Sequence, residues 1–185
     1  GLLDHILRTC PGAEVTIACG TLPQTIFEGY PALAEIIAFK KEKYNRHWLK
    51  LWARVAGRRW DMVIDLRNSA GSRLIPARRR FIYGARIDAS AHKVVQAAQV
   101  MRLDYVPSPA LWFTAEQKAR AARLVPDGGP VLGVGPTANW AGKTWPAERF
   151  IDLVKTLTGP EGILPGARVA VFAAPGEEAQ AQIIF

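Results

Sequence analysis

Lys143 stands in the stretch whose residue types most suggest chemistry, "VLGVGPTANWAGKTWPAERF", residues 131–150. An apolar run ends in Gly135-Pro136, a loop carries Thr137, Asn139 and Gly142-Lys143-Thr144, and Trp145-Pro146 opens an amphipathic run. A cation close to a helix start is suited to phosphate. The first N–H groups of a helix lack intrahelical partners and carry positive partial charge, and a lysine adds a full charge. Gly-Lys-Thr invites comparison with the ATP-binding P-loop, G-x-x-x-x-G-K-[ST]. The spacing excludes it: five residues before Gly142 stands Thr137, and Gly135 is two residues too early. Proline adds a steric objection. In a helix beginning at Gly-Lys, Pro146 would fall in the first turns and disfavour helical geometry at Trp145. At the first helical position proline is at home. The helix is therefore expected to start at Pro146, with Glu148 in its first turn complementing the dipole and Lys143 left in the loop. Two readings remain at this level. One is a phosphate-binding strand–loop–helix in which Lys143 is the cation and Thr137 and Asn139 supply polar side chains. The other is an ordinary loop whose lysine points to solvent.

The rest of the chain offers less chemistry. Cys10 and Cys19 fit no zinc spacing and no disulfide framework, and read as ordinary thiols in a reducing compartment. His5, His47 and His92 are far apart, so no metal site is expected. Formal net charge is +8, which favours an anionic partner without naming it. Arg46, Lys50 and Arg54 recur at i, i+4 and i+8 on one helix face, and Arg78, Arg79 and Arg80 form a second cluster. Trp48, Trp52 and Val55 share a face and are expected in the core. Nucleic acid is not expected as a partner, because no aromatic platforms interleave with the basic residues.

The elements that must position these groups alternate. Helical spacing appears in "LLDHILRTC", "NRHWLKLWARVAG", "ASAHKVVQAAQVMRL", "TAEQKARAARLV" and "PAERFIDLVKTL", with Thr114 as a cap for the fourth, and a further helix begins in "GEEAQAQIIF". Strands are expected near Val15–Ala18 and in "LAEIIAF", "DMVIDL", "PVLGVGP" and "ARVAVFAA". Strand and helix in alternation signal parallel sheet with crossover helices. The apolar runs "MVIDL" and "VAVFAA" suggest strands covered on both faces. The turn-rich "VPDGGP", residues 125–130, marks a boundary, giving domains 1–126 and 127–185. No apolar run reaches the roughly 18 residues that span a bilayer, and the first residues show no signal-peptide pattern. The chain opens without Met inside an apparent helix and stops on an apolar run, so both ends read as cut through structure.

With these residues in view, "VLGVGPTANWAGKTWPAERFIDLVKTL" resembles the loop that opens the C-terminal domain of glycosyltransferase family 9, the lipopolysaccharide heptosyltransferases. "LLDHILRTCPGAEVTIACG" is similar to that family's first helix and second strand. "RRWDMVIDLRNSAGSRLIPARRRFIYG" looks like its Asp-Leu segment with an Arg-rich approach to the next strand, and "VAVFAAPGEEAQ" like its Gly-Gly-Pro-Gly-Glu turn. The resemblance covers nearly the whole chain. It implies an α/β fold of GT-B type: two Rossmann-like domains with parallel sheets facing each other across a cleft, both incomplete here. It further implies inverting transfer of a sugar, heptose by analogy, from a nucleotide-sugar donor such as ADP-heptose to an anionic lipopolysaccharide core acceptor. Neither catalytic metal nor other cofactor is implied. Lys143, Thr137 and Asn139 would meet the donor's phosphates, and Glu177 its ribose or base. The proposed catalytic Asp of the family would lie upstream of Gly1. Asp4 reads as a surface residue of the first helix, so no catalytic residue is assigned within the chain, which alone should be inactive. The late Asp-Thr-Gly segment of the family and its following His are absent too. Where some relatives place a Lys after Asp-Leu-Arg, this chain has Gly71, and Arg67 and Arg73 stand as replacements for acceptor binding. The expected setting is cytoplasmic, peripheral to the acidic inner face of the bacterial inner membrane. The alternative is a non-catalytic module that binds nucleotide phosphates or polyanions.

Overall fold

The computed structural model describes every residue except 41, 44, 45, 139 and 183–185. It forms two compact units, Gly1–Gln117 and Lys118–Phe185. The first contains helix α1 (Leu2–Thr9), strand β1 (Val15–Gly20), a 3₁₀ turn at Gln24–Ile26, strand β2 (Leu33–Phe39), helix α2 (Arg46–Val55), strand β3 (Trp60–Asp65), short helix α3 (Ala70–Leu74), strand β4 (Ala77–Ile82) and helix α4 (Lys93–Val100). Helix α5 (Ala115–Leu124) begins in the first unit and ends in the second. The second unit continues with strand β5 (Val131–Val134), a 3₁₀ turn at Ala141–Lys143, helix α6 (Ala147–Thr158), strand β6 (Arg168–Val171) and helix α7 (Glu178–Ala181).

Among the described residues the strands pair as three parallel ladders, β1 with β2, β3 with β4 and β5 with β6. Parallel pairing needs a crossover, and α3 and α6 supply it for the second and third ladders. In the first ladder the crossover is the 21–32 segment with its 3₁₀ turn. That segment is held by Tyr30, which is 3% exposed. Its hydroxyl donates to the Leu3 carbonyl at 2.9 Å and its ring meets Trp112 edge-on at 5.0 Å. Beside it Gly29 lies against the Trp112 backbone so closely that a Cβ would overlap the carbonyl. The core of this unit runs through Ile6, Tyr30, Ile37, Val55, Ala98, Val100 and Met101.

Several elements differ from their sequence readings, each for a local reason. β4 carries Arg78, Arg79 and Arg80 inside the strand rather than before it, because β3 supplies the pairing (Met62↔Arg79, Ile64↔Phe81). Charged side chains are tolerated on a strand with an unshared edge. Helix α4 starts at Lys93, later than "ASAHKVV" suggests. Asp88 accepts from the Ser90 N–H and hydroxyl, and the buried Gln96 amide donates to the carbonyls of Ala89 and Ala91, so that backbone is committed outside the helix. α2 ends at Val55, so the basic stripe stops at Arg54; beyond the helix the Arg58 guanidinium lies over the Trp60 ring at 5.9 Å. β6 stops at Val171 instead of running to Ala174. Its last bond, Phe172 N–H to Val134 O at 2.8 Å, meets the end of β5, where Gly135-Pro136 turns away. Phe172 is then 60% exposed. Met62, Val63 and Ile64 of β3 and the interior positions of β6 are half-buried, so the coverage on both faces expected from their apolar runs is only partial among the described residues.

Thr114 caps α5 as its sequence suggests. Its hydroxyl accepts from the Gln117 N–H at 3.1 Å, while the Gln117 side chain accepts from the Thr114 N–H at 3.0 Å, a reciprocal box. The Gln117 amide also donates to the Thr25 carbonyl and to Glu28. That binds the first turn of α5 to the first unit, whereas Arg168 donates to the Pro126 carbonyl at 2.6 Å within the second. The units divide inside α5, and the sequence boundary at 126/127 lies just past the other end of that helix.

Candidate phosphate-binding site

Ligands of open parallel sheets bind at the carboxyl ends of strands. Val134 and Val171 are partners in the β5–β6 ladder, so the loops that follow them leave the same edge about 4.8 Å apart. Thr137 and Lys143 lie on the first of these loops and Glu177 on the second. Asn139, the remaining donor-side candidate, lies outside the described residues.

The loop after β5 is shaped locally. Pro136 is buried and Thr137 half-buried, which anchors its start. The chain then makes the 3₁₀ turn, with the Lys143 N–H donating to the Trp140 carbonyl at 2.9 Å. The Trp140 ring covers Gly142, where an added Cβ would lie 2.8 Å from it. With glycine at 142 the ring keeps this position; a larger residue would have to displace the exposed Trp140 side chain. Lys143 is exposed. The helix that follows starts one residue later than expected: Pro146 is the N-cap (φ −56°, ψ 140°) and Ala147 the first helical residue. The difference is within the usual ambiguity of helix ends. Pro146 supplies no side-chain cap. Its carbonyl accepts from the N–H groups of Arg149 and Phe150 at 3.1 and 3.4 Å. The N–H groups of Ala147 and Glu148 have no acceptor among the described residues. Trp145 precedes the cap and meets Phe150 edge-on at 5.2 Å. This N′-to-N4 contact is a hydrophobic staple, which fixes the angle at which the loop enters the helix. Trp-Pro thus aims the start of α6, and Lys143 stands three residues before Pro146.

Glu177 is half-buried and occupies the N-cap position of α7 without a side-chain cap bond, while Glu178 accepts from the Gly176 N–H at 2.8 Å. Gly176 has a φ of 92°, the left-handed conformation in which glycine is unstrained. It lets the chain turn sharply from β6 into α7.

The acceptor-side candidates, Arg67 and Arg73, belong to the strand–loop–helix formed by β3 and α3. Here the structure adds a residue that belongs to none of the sequence motifs. Asp65, 9% exposed at the carboxyl end of β3, accepts from the Arg67 N–H at 2.8 Å, the Ser69 N–H at 2.6 Å and the Ser69 hydroxyl at 2.8 Å. Burial acts to raise its carboxyl, but donors from Ser72, Arg67 and Ser69 outweigh that and hold it below its usual range. The same loop carries Asn68 at φ 58°, a conformation that asparagine tolerates better than most residues. Arg73 donates to the Asn68 side chain at 2.6 Å, so its guanidinium is tied to its own loop, whereas Arg67 is exposed. The visible sequence signal was an Asp ending an apolar strand with serine four residues on. Asp4, read as a surface residue, has a side chain only 17% exposed and pairs with Arg8 at 2.9 Å.

Among the described residues, no cluster of His, Cys, Asp and Glu has the makings of a metal site, and no helix is long and apolar enough to cross a membrane. Cys10 and Cys19 are free thiols.

No family model and no curated protein matches the sequence. Solved structures do match the fold. A glycosyl transferase of family 9 from Veillonella parvula superposes with a TM-score of 0.73 at 18% identity, covering 99% of this chain and 60% of that one. E. coli ADP-heptose lipopolysaccharide heptosyltransferase II gives 0.67 at 20% identity, covering 98% and 62%. E. coli heptosyltransferase WaaC, solved with ADP, gives 0.64 at 18% identity, covering 98% and 64%. The chain therefore spans less than two thirds of the length of each and shares their GT-B-type α/β fold over that span, the fold that the sequence resemblance implied.

Proposed function

We propose that this chain is the greater part of an inverting glycosyltransferase of family 9, moving heptose from a nucleotide-sugar donor such as ADP-heptose to a lipopolysaccharide core acceptor. The observation that carries the reading is that the fold likeness covers 98–99% of the chain, while the loop it contains at a strand's carboxyl end runs from Lys143 into an uncapped helix start. WaaC has been solved with ADP and with ADP-2-deoxy-2-fluoro heptose, and a diphosphate is the ligand that a lysine and free helix N–H groups would hold.

In this reading Lys143 and the first turn of α6 neutralise the charge that develops on the leaving diphosphate, the main electrostatic contribution such a site makes. Thr137 and Asn139 contact the same phosphates, and Glu177 the ribose or base. Arg67 and Arg73 face anionic groups of the acceptor. A carboxylate takes the proton of the acceptor hydroxyl as it attacks in a single displacement; no residue of this chain is assigned that role. No metal or other cofactor takes part. The protein works in the cytoplasm, peripheral to an acidic membrane surface.

Calorimetric titration of ADP and ADP-heptose into the chain tests the donor site. Both should bind, and Lys143→Ala should weaken both about tenfold, the worth of one charge-assisted contact. Unchanged affinity in the variant overturns the site. Equal affinity for heparin and for ADP-heptose would favour a general polyanion-binding module over a transferase.

A further inference from the structure

Trp52 does not join the core that its helical spacing predicts: it is 36% exposed. One turn before it on α2, Leu49 is 68% exposed. The Trp52 indole N–H reaches the Leu74 carbonyl at the end of α3, 3.4 Å away, and Leu74 is 69% exposed. Three large, exposed apolar residues thus stand on two neighbouring elements of the first unit, α2 and α3. At 3.6 residues per turn, the outward arc of α2 runs Trp52, Leu49, Ala53, Arg46, Lys50, Arg54, apolar on one half and cationic on the other. Arg73 directly precedes Leu74, and the Arg80 guanidinium donates to the carbonyls of Ile75 and Ala77 just beyond it. The acidic groups nearby are few: Glu42 pairs with Lys50 at 2.6 Å and Glu35 pairs with Arg54.

We infer that this α2–α3 face is the surface by which the protein docks on an acidic lipid bilayer, with Leu49, Trp52 and Leu74 entering the headgroup boundary and Arg46, Lys50 and Arg80 meeting lipid phosphates. The inference rests on the membrane location in the reading above, and on none of its donor-site assignments. An amphipathic helix with Trp and Leu on one side and Arg and Lys on the other lies in the plane of a membrane interface, and anionic headgroups complement the cations. A second copy of the chain complements them poorly. A two-fold interface places a patch against itself, so this cationic rim would face its own like charges. Two leucines and part of a tryptophan also fall far short of the roughly 800 Å² per partner of a stable interface.

Vesicle co-sedimentation of the chain tests this. Binding is expected to vesicles containing phosphatidylglycerol and to be much weaker to pure phosphatidylcholine, with a blue shift of tryptophan emission that Trp52→Phe removes although five of the six tryptophans remain. The double variant Leu49→Ser, Leu74→Ser should lose about tenfold or more of the binding, since two partly inserted leucines are removed from the apolar phase. Both sites are solvent-facing, so its circular dichroism and its ADP binding should match the parent. No binding to acidic vesicles overturns the inference whether or not ADP binds. So does vesicle binding that the double variant retains, which would be electrostatic adsorption alone. A vesicle-free doubling of mass abolished by the double variant would assign the face to a second copy and also overturn it.

Discussion

The loops after β3 and β5 occupy corresponding places, each leaving the carboxyl end of a parallel strand and entering a helix without a side-chain cap, yet among the described residues only the first carries an internal carboxylate on its loop N–H groups. In the first, the Asp65 carboxylate sits on the N–H groups of Arg67 and Ser69, so an internal anion already fills the place where an external one would bind. In the second, no carboxylate among the described residues does this, and an exposed lysine stands close by in sequence. A strand–loop–helix with its own anion is a scaffold, here for the arginines around it. One without leaves its donors open to an external anion. The contrast explains why the second loop, not the first, is the donor-site candidate, although both carry basic side chains.

The largest effect is expected at Asp65. Asp65→Ala strips the acceptor from three donors in a nearly buried site and should cost about 2 kcal/mol in urea unfolding followed on signals of the first unit, with ADP affinity unchanged. Because the folded carboxyl is held below its ordinary value of 3.8, its contribution is complete above that value and is lost as the pH falls through the lower folded value. The acid limb of the stability profile should therefore be shallower in Asp65→Ala than in the parent. If the two limbs coincide, Asp65 is not the internal anion described. At the other loop, Lys143→Ala should reverse the pattern: about tenfold weaker ADP binding with unfolding unchanged. Trp145→Ala removes the staple that aims α6 and should cost about 1 kcal/mol, read as faster amide exchange in the first turn of that helix. Smallest is Arg73→Ala. Its hydrogen bond to Asn68 is exposed, so about 0.5 kcal/mol is expected; a loss as large as that of Asp65→Ala would move the scaffold role from the carboxylate to the arginine.

Much of the fold was legible because it is written in local patterns. The periodicity of "LLDHILRTC" and "ERFIDLVKTL" marks α1 and α6, and Thr114 with Gln117 marks the cap of α5, since these features depend on residues within one or two turns. β4 was not legible as a strand. Nothing in "ARRRFI" favours one, and it forms because β3 offers a paired edge. Of the candidate site, the chain around Lys143 was readable to within a residue, the place of Gly142 under the Trp140 ring was not, and the Asp65 brace was missed because a carboxylate's partners cannot be read from its own position.

The alternation of strand and helix, the exclusion of a P-loop and the start of α6 beside Lys143 follow from residue order alone, because apolar periodicity and the spacing of glycine and proline act on the local backbone. That Asp65 closes its loop, that the units part within α5 and that Trp52 lies outside the core is set by contacts between elements. Those outcomes depend on which distant residues supply acceptors and packing surface. Helical spacing places Trp52 on a face with Val55; whether that face is covered at Trp52 is settled by α3, which contributes one carbonyl and an exposed leucine instead of a core.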